Sequence, residues 1–283
     1  MTMSETLKIR SSDGVNLHCE VTGDGHPLIF VHEYGGDCRS WRPQVAYFSS
    51  RYRCIAYNAR GYPPSDVPEA FAAYTQERAW MDIRDVLRGL RVDRAHVVGL
   101  SMGGAAVMHF GLNCGEMASA LVIAATGNGF DPADRASYWR GHDVGARRIA
   151  DEGMAAFADI YANGATRLTF KRKDPEGWAE FKRMVAEHSA IGSINTALGI
   201  LRVRPSGYEF EDQLGGVDVP ALVLFGDRDE PCFAPGRFLA KSMPRAAMAV
   251  LPDTGHAANL EEPVLFNETL ARFFTRVESG NWT

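Results

Sequence analysis

Several features are scarce in this 283-residue sequence, and each shortage removes a class of function. No stretch approaches the ~18 consecutive apolar residues of a membrane span, and the opening "MTMSETLKIR" lacks the apolar h-region of a secretory leader. The expectation is a cytoplasmic protein with no membrane partner. Positive charge is in deficit: 30 Lys and Arg stand against 35 Asp and Glu, for a formal charge of -5. A nucleic-acid partner would need a basic footprint, so none is expected. Cysteine is sparse and unpaired in pattern. The five (Cys19, Cys38, Cys54, Cys114, Cys232) are odd in number and irregularly spaced with no CxxC, which argues against a disulfide framework or a zinc site. They read instead as small core residues of a protein in a reducing compartment.

What is present is a chain that is 46% hydrophobic, with short apolar runs alternating with longer helical patterns. That alternation predicts an α/β fold, a mostly parallel sheet with helices on both faces. An antiparallel pair opens it, "TLKIR" and "VNLHCEV", joined at "SSDG" where Gly14 can take positive φ. Strands follow at "PLIFVH", "YRCIAYN", "AHVVGL", "ALVIAAT", "ALVLFGD" and "AAMAVLPD". Helices are predicted over about 40–48, 75–90, 234–241 and 263–274, and in "SMGGAAVMHFGLNCG", which Gly115 should stop. Between Gly127 and about Gly216 the strand pattern gives way to about four amphipathic helices. Residues 1–127 and 217–283 therefore read as the sheet domain, and 128–216 as an inserted helical cap.

"GLSMGG" matches G-x-S-x-G on a strand-to-helix turn, where a sharp bend exposes Ser101 and leaves no room for side chains on close neighbours. Alone it is a weak signal, because glycine-rich turns also bind phosphates. Two later loops strengthen it. "LFGDRDEP" brings Asp227 and Asp229, and "LPDTGHAANLEEP" brings His256, to the carboxyl end of the last two strands. Sites collect on that edge of an open α/β sheet, and the order Ser, acid, His suits this topology. His256 would take the Ser101 proton, and a carboxylate would hold the imidazole tautomer and stabilise the imidazolium.

Through "VHEYGG", "NARGYPPSD", "GLSMGG", "GDRDEP" and "GHAANLEEP" nearly the whole chain resembles the α/β-hydrolase fold superfamily, in its capped, cofactor-free branch of esterases, lactonases and ring-cleavage-product hydrolases. The resemblance implies an eight-stranded, mostly parallel sheet and a small-molecule substrate. It implies no metal and no organic cofactor. It puts the acid on Asp229, leaving Asp227 as a loop residue and Asp131 as a displaced alternative. Serine, where relatives attacking sp³ carbon carry aspartate, implies an acyl-enzyme and ester-type hydrolysis. Carbon-carbon bond hydrolysis, lactonase or perhydrolase chemistry, and ligand sensing by a receptor that keeps the triad share the same residues. A homodimer is the default assembly.

By the same resemblance the backbone N-H groups of Tyr34 and Met102 form an oxyanion hole. "VHEYGG" departs from the pattern: Glu33 fills a slot that relatives give to glycine. A carboxylate near a developing oxyanion repels it, so Glu33 is expected to turn away, toward Arg60 of "NARG", where Asn58 replaces a usual aspartate. If it faces Ser101 instead, it selects substrate or assists water. His32 reads as a support behind this loop and His109 as a packed or surface residue. The cap arginines Arg135, Arg140, Arg147, Arg148, Arg167, Arg202 and Arg204 read as a solvated face, although one or two could bind a substrate carboxylate. Tyr138, Trp139, Tyr161 and Trp178 read as cap core.

Overall fold

In a computed structural model, residues 4–282 are described. Eight strands form one sheet: β1 (Ser4–Arg10), β2 (Asn16–Thr22), β3 (His26–Val31), β4 (Tyr52–Tyr57), β5 (Ala95–Leu100), β6 (Ala118–Ala124), β7 (Ala221–Gly226) and β8 (Ala246–Leu251). Their order is β1-β2-β4-β3-β5-β6-β7-β8. β2 runs antiparallel to both of its neighbours and every other pairing is parallel. Strands β5 and β7 are buried at every position, as near-continuous apolar strands covered on both faces must be. β8 lies on the edge and leaves Met248 and Val250 exposed.

Five helices flank the sheet: α1 (Arg42–Phe48), α2 (Gln76–Gly89) and α3 (Met102–Cys114), then, after the insertion, α9 (Phe233–Ser242) and α11 (Pro263–Glu278). Two separate cores result. Ile83, Val86 and Leu87 of α2 join Val107 and Phe110 of α3 and Leu239 of α9 on one face, while Trp41, Phe48, Phe266 and Phe274 fill the other. Gly115 does not end α3 in a left-handed cap. Its φ is -56°, and the chain passes through a 3-10 turn over Gly115–Met117 straight into β6. α11 runs to Glu278, past the expected end near Phe274, and the Glu278 carboxylate accepts the Tyr52 hydroxyl at 2.7 Å.

Between β6 and β7 the chain is helical: α4 (Pro132–Ala162), α5 (Leu168–Lys173), α6 (Pro175–Ala186), α7 (Ala190–Thr196) and α8 (Glu211–Leu214). α4 is broken at Gly153, whose φ of +83° only glycine adopts cheaply. Ile149, Met154, Phe157, Phe170, Phe181 and Val185 form a third core, which Tyr34, Tyr62 and Met102 of the sheet loops enter. The insertion is thus packed onto the loops at the carboxyl edge. Trp139 departs from the expected helical core. It is 37% exposed and lies under Arg135 and Arg202, with each guanidinium carbon within 6 Å of its ring centre.

Candidate active site

Ser101 occupies the turn between β5 and α3 with φ 55° and ψ -109°, angles that a side-chain-bearing residue adopts only under constraint. The constraint comes from its neighbours. A Cβ on Gly99 would strike the Gly103 carbonyl, and one on Gly103 would strike the carbonyl of Val31. The serine N-H is anchored to the Ala124 carbonyl at 2.8 Å, which locks the turn onto β6.

Three loops at the carboxyl edge bring Ser101, His256 and Asp229 together. Ser101 Oγ is 2.9 Å from His256 Nε2, and His256 Nδ1 is 2.8 Å from Asp229 Oδ2. Asp229 is buried, which opposes its ionisation, yet the adjacent imidazole holds its carboxyl below the usual value. Asp227 lies nearby and is spent differently, accepting the Thr254 N-H at 3.1 Å. Asp131 caps α4 by accepting the Ala133 N-H at 2.8 Å, and among the described residues it makes no hydrogen bond to an imidazole.

A carboxylate absent from the sequence reading frames the histidine. Glu261 accepts the Gly255 N-H at 2.6 Å on one oxygen and the Ala257 N-H at 3.0 Å on the other, gripping the backbone on both sides of His256. Burial pushes its pKa up against those hydrogen bonds. The signal was in "GHAANLEEP", an acid five residues beyond a loop histidine and at the end of the short helix α10 (Ala258–Glu261).

The loop after β3 is tied from behind. His32 is fully buried, with Nδ1 2.7 Å from the Glu33 carbonyl and Nε2 3.0 Å from the Ala59 N-H, a pattern met by the neutral Nδ1-H tautomer. Burial lowers its pKa to about 4, which keeps it neutral. The Tyr62 hydroxyl donates to the Tyr34 carbonyl at 2.8 Å, and the Tyr34 hydroxyl donates to the Ser193 carbonyl of α7 at 3.0 Å. Among the described residues, neither the Tyr34 nor the Met102 N-H is consumed by a backbone hydrogen bond, and Met102 opens α3, where the helix dipole is positive.

Glu33 is buried, but not against Arg60. Arg60 is already committed to two carboxylates, 2.7 Å from Asp82 and 2.8 Å from Asp13. Asn58 serves backbone groups instead, accepting the Cys38 N-H and donating to the Pro63 carbonyl. Glu33 pairs with Arg167 of the insertion, which also meets the Tyr161 hydroxyl at 2.9 Å. Arg167 therefore does not belong to a solvated face; its side chain is 1% exposed. His109 is a packed histidine, edge-on to Phe210 at 4.9 Å.

A cavity of about 740 Å³ lies between the insertion and the sheet edge, with Ser101 and His256 in its wall beside Tyr34, Tyr138, Phe157 and Tyr161. Among the described residues two groups have donors close enough for a metal, Asp229 with Cys232 and His256, and His18 with Glu20 and Cys38. Burial raises both thiols well above their usual pKa, so neither group offers a ready thiolate. Asp229 and His256 are moreover bonded to each other. No helix of the described residues is long and apolar enough to cross a membrane.

Residues 28–269 match the Alpha/beta hydrolase family. The chain is similar to 3-oxoadipate enol-lactonase 1 of Acinetobacter baylyi, at 24% identity over 98% of this chain and 100% of the relative. It superposes on the enol-lactonase of Burkholderia xenovorans LB400 with a TM-score of 0.82, at 23% identity over 95% of this chain and 100% of that one. A thermophilic esterase from Thermogutta terrifontis, solved with malate bound, gives a TM-score of 0.84 at 25% identity, covering 96% of this chain and 99% of its own. With the family match reaching from β3 into the last helix, and the sheet order that carries it, the chain belongs to the alpha/beta hydrolase family.

Proposed function

We propose that the protein is a serine hydrolase that cleaves a carboxylic ester or lactone of small to medium size through an acyl-enzyme. The observation that carries this reading is the unbroken relay from Ser101 Oγ through both nitrogens of His256 to Asp229, on a strained turn in the wall of a cavity. A strong hydroxyl nucleophile needs a base within hydrogen-bond reach and a third group that orients the base.

In the reaction, Ser101 Oγ attacks the substrate carbonyl as His256 Nε2 takes its proton. Asp229 stabilises the imidazolium through Nδ1-H. The N-H groups of Tyr34 and Met102 receive the oxyanion, and the neutralisation of Glu33 by Arg167 keeps a bare negative charge away from it. His256 then protonates the leaving oxygen, and the same groups activate water to release the acid. Segment 128–216 serves as the cap, closing the cavity over Ser101 and setting acyl and alcohol size. Relatives named as enol-lactonase and esterase support ester and lactone bonds over other carbonyl substrates.

Turnover of p-nitrophenyl acyl esters of graded chain length, together with labelling by a fluorophosphonate, tests the reading. The expected result is hydrolysis and a label on Ser101, both lost in Ser101→Ala. A folded protein that shows neither is a ligand-sensing member of the family.

A further inference from the structure

Two arginines line the cavity, Arg167 and Arg204, and among the described residues only Arg167 is matched to a carboxylate. Arg135 faces Glu209 at 3.5 Å, Arg202 faces Asp143 at 2.7 Å, and Arg167 has Glu33. Arg204 lines the same cavity as Ser101 and His256, is 7% exposed, and has no carboxylate within 4 Å among the described residues. One of its nitrogens, Nη2, donates to the Asn128 carbonyl at 2.8 Å, while Nη1 is buried and makes no hydrogen bond among the described residues. Its guanidinium carbon lies 5.5 Å from the ring centre of Tyr138. From there a run of aromatic contacts leads back to the oxyanion loop: Tyr138 to His142 at 4.5 Å, and His142 to Tyr34 at 6.4 Å.

A guanidinium shielded from water and lacking a counter-ion is an expensive arrangement, and an anion completes it. Nothing nearby substitutes for one. His142 is held neutral, its pKa lowered to about 4 by burial first and by the Arg204 charge second. Asp131, Asp134 and Glu230 also line the cavity, but they are exposed and none pairs with Arg204. The free Nη1-H and the fork shape of the group suit a carboxylate.

We propose that Arg204 binds a carboxylate that the substrate carries away from its scissile carbonyl, so that the natural substrates are acidic esters or lactones rather than neutral ones. The proposal rests on the hydrolase reading of Ser101 and adds the chemical class of the substrate.

Monoethyl esters of the dicarboxylic acids from succinic to pimelic, each paired with the ethyl ester of the monocarboxylic acid of equal chain length, test this in a pH-stat. The wild-type protein should favour the acidic member by at least about ten-fold in kcat/KM for one or more lengths, expressed mainly in KM. Arg204→Gln should collapse that ratio to about one, and Arg204→Lys, which keeps the charge but loses the fork, should retain part of it. A wild-type preference for the neutral ester at every length overturns the proposal without any variant. So does an unchanged ratio in a folded Arg204→Gln.

Binding separates failure of this proposal from failure of the hydrolase reading. The free dicarboxylates should raise the Tm of the wild type and not of Arg204→Gln, whether or not any ester turns over. Ester hydrolysis with no acidic preference and no such shift sinks the carboxylate site alone. A shift without hydrolysis or Ser101 labelling keeps the site and sinks the hydrolase.

Discussion

At the scale of single residues, Ser101, His256 and Asp229 differ in how their removal should break the relay. Ser101→Ala and His256→Ala each cut the relay, and each should lower kcat by roughly 10³-fold or more, with KM little changed, because the serine-histidine unit acts as a whole. Asp229→Asn leaves the size of the side chain unaltered but turns an acceptor toward a donor at His256 Nδ1, favouring the wrong tautomer. Its kcat loss should be comparable. Steady-state kinetics on one p-nitrophenyl ester check all three, and an Asp229→Asn enzyme retaining more than about a tenth of wild-type kcat refutes the role of Asp229. These three positions could be read in the sequence because each sits in a short glycine-containing loop that directly follows a strand, and strand ends on one sheet edge must converge. Glu261 could not be read so, since its role depends on how the chain folds back after His256 to present two amides to one carboxylate. Arg204 appeared only as one of several arginines in the segment 128–216; sequence spacing shows neither burial nor the lack of a partner.

At the scale of elements, the pair Glu33 and Arg167 ties the loop after β3 to the turn that opens α5. The two ends of the pair are not equivalent. Glu33→Gln leaves a buried cation that still has Tyr161 and the faces of Tyr161 and Phe181 around it. Arg167→Met leaves a buried carboxylate one residue from the Tyr34 N-H, where it opposes negative charge on the substrate. Breaking a buried pair from one side costs about 3–5 kcal/mol. Both variants should lose Tm, but Arg167→Met should lose markedly more kcat, and the double variant Glu33→Gln/Arg167→Met should recover part of both losses. Thermal melts and kinetics on the four proteins form a double-mutant cycle, and additive losses would show that the pair is not coupled. Here the sequence reading named the right residue and the wrong partner. It could see that Arg60 and Asn58 lie in a neighbouring loop, but not that Asp82 and Asp13 already hold Arg60. The sheet was more legible than the insertion for a related reason: strands announce themselves by apolar runs and by topology, whereas the packing of α4 to α7 follows from side-chain fit. Trp139 has helical spacing suited to a core and still faces outward.

At the scale of the whole molecule, His32, His96 and His109 join His142 in making the fold sensitive to acid. His32, His96 and His109 are 0%, 1% and 8% exposed, and burial lowers the pKa of each from 6.5 to about 4. Between those two values the unfolded chain binds protons that the folded chain refuses. Stability is therefore complete above about pH 6.5 and falls as the pH drops toward 4. Near pH 5 each histidine accounts for about 2 kcal/mol of loss, and three together approach the 5–15 kcal/mol on which a typical domain depends. Glu261, whose pKa burial raises, runs the other way and offsets part of this. Asp37, held well below its usual value by His188 and Arg39 against its own burial, becomes a liability only at still lower pH. Circular dichroism followed from pH 8 to pH 4 should show cooperative unfolding within the interval in which these histidines titrate. His109 is the one to remove, because it lies on α3 away from the Ser101 turn, and its ring packs edge-on against Phe210. His109→Gln should move the acid midpoint down by roughly half a pH unit. Melts at pH 8 separate any packing loss from the titration, and an unmoved midpoint in a variant that is equally stable at pH 8 would remove His109 from the set that sets the acid limit.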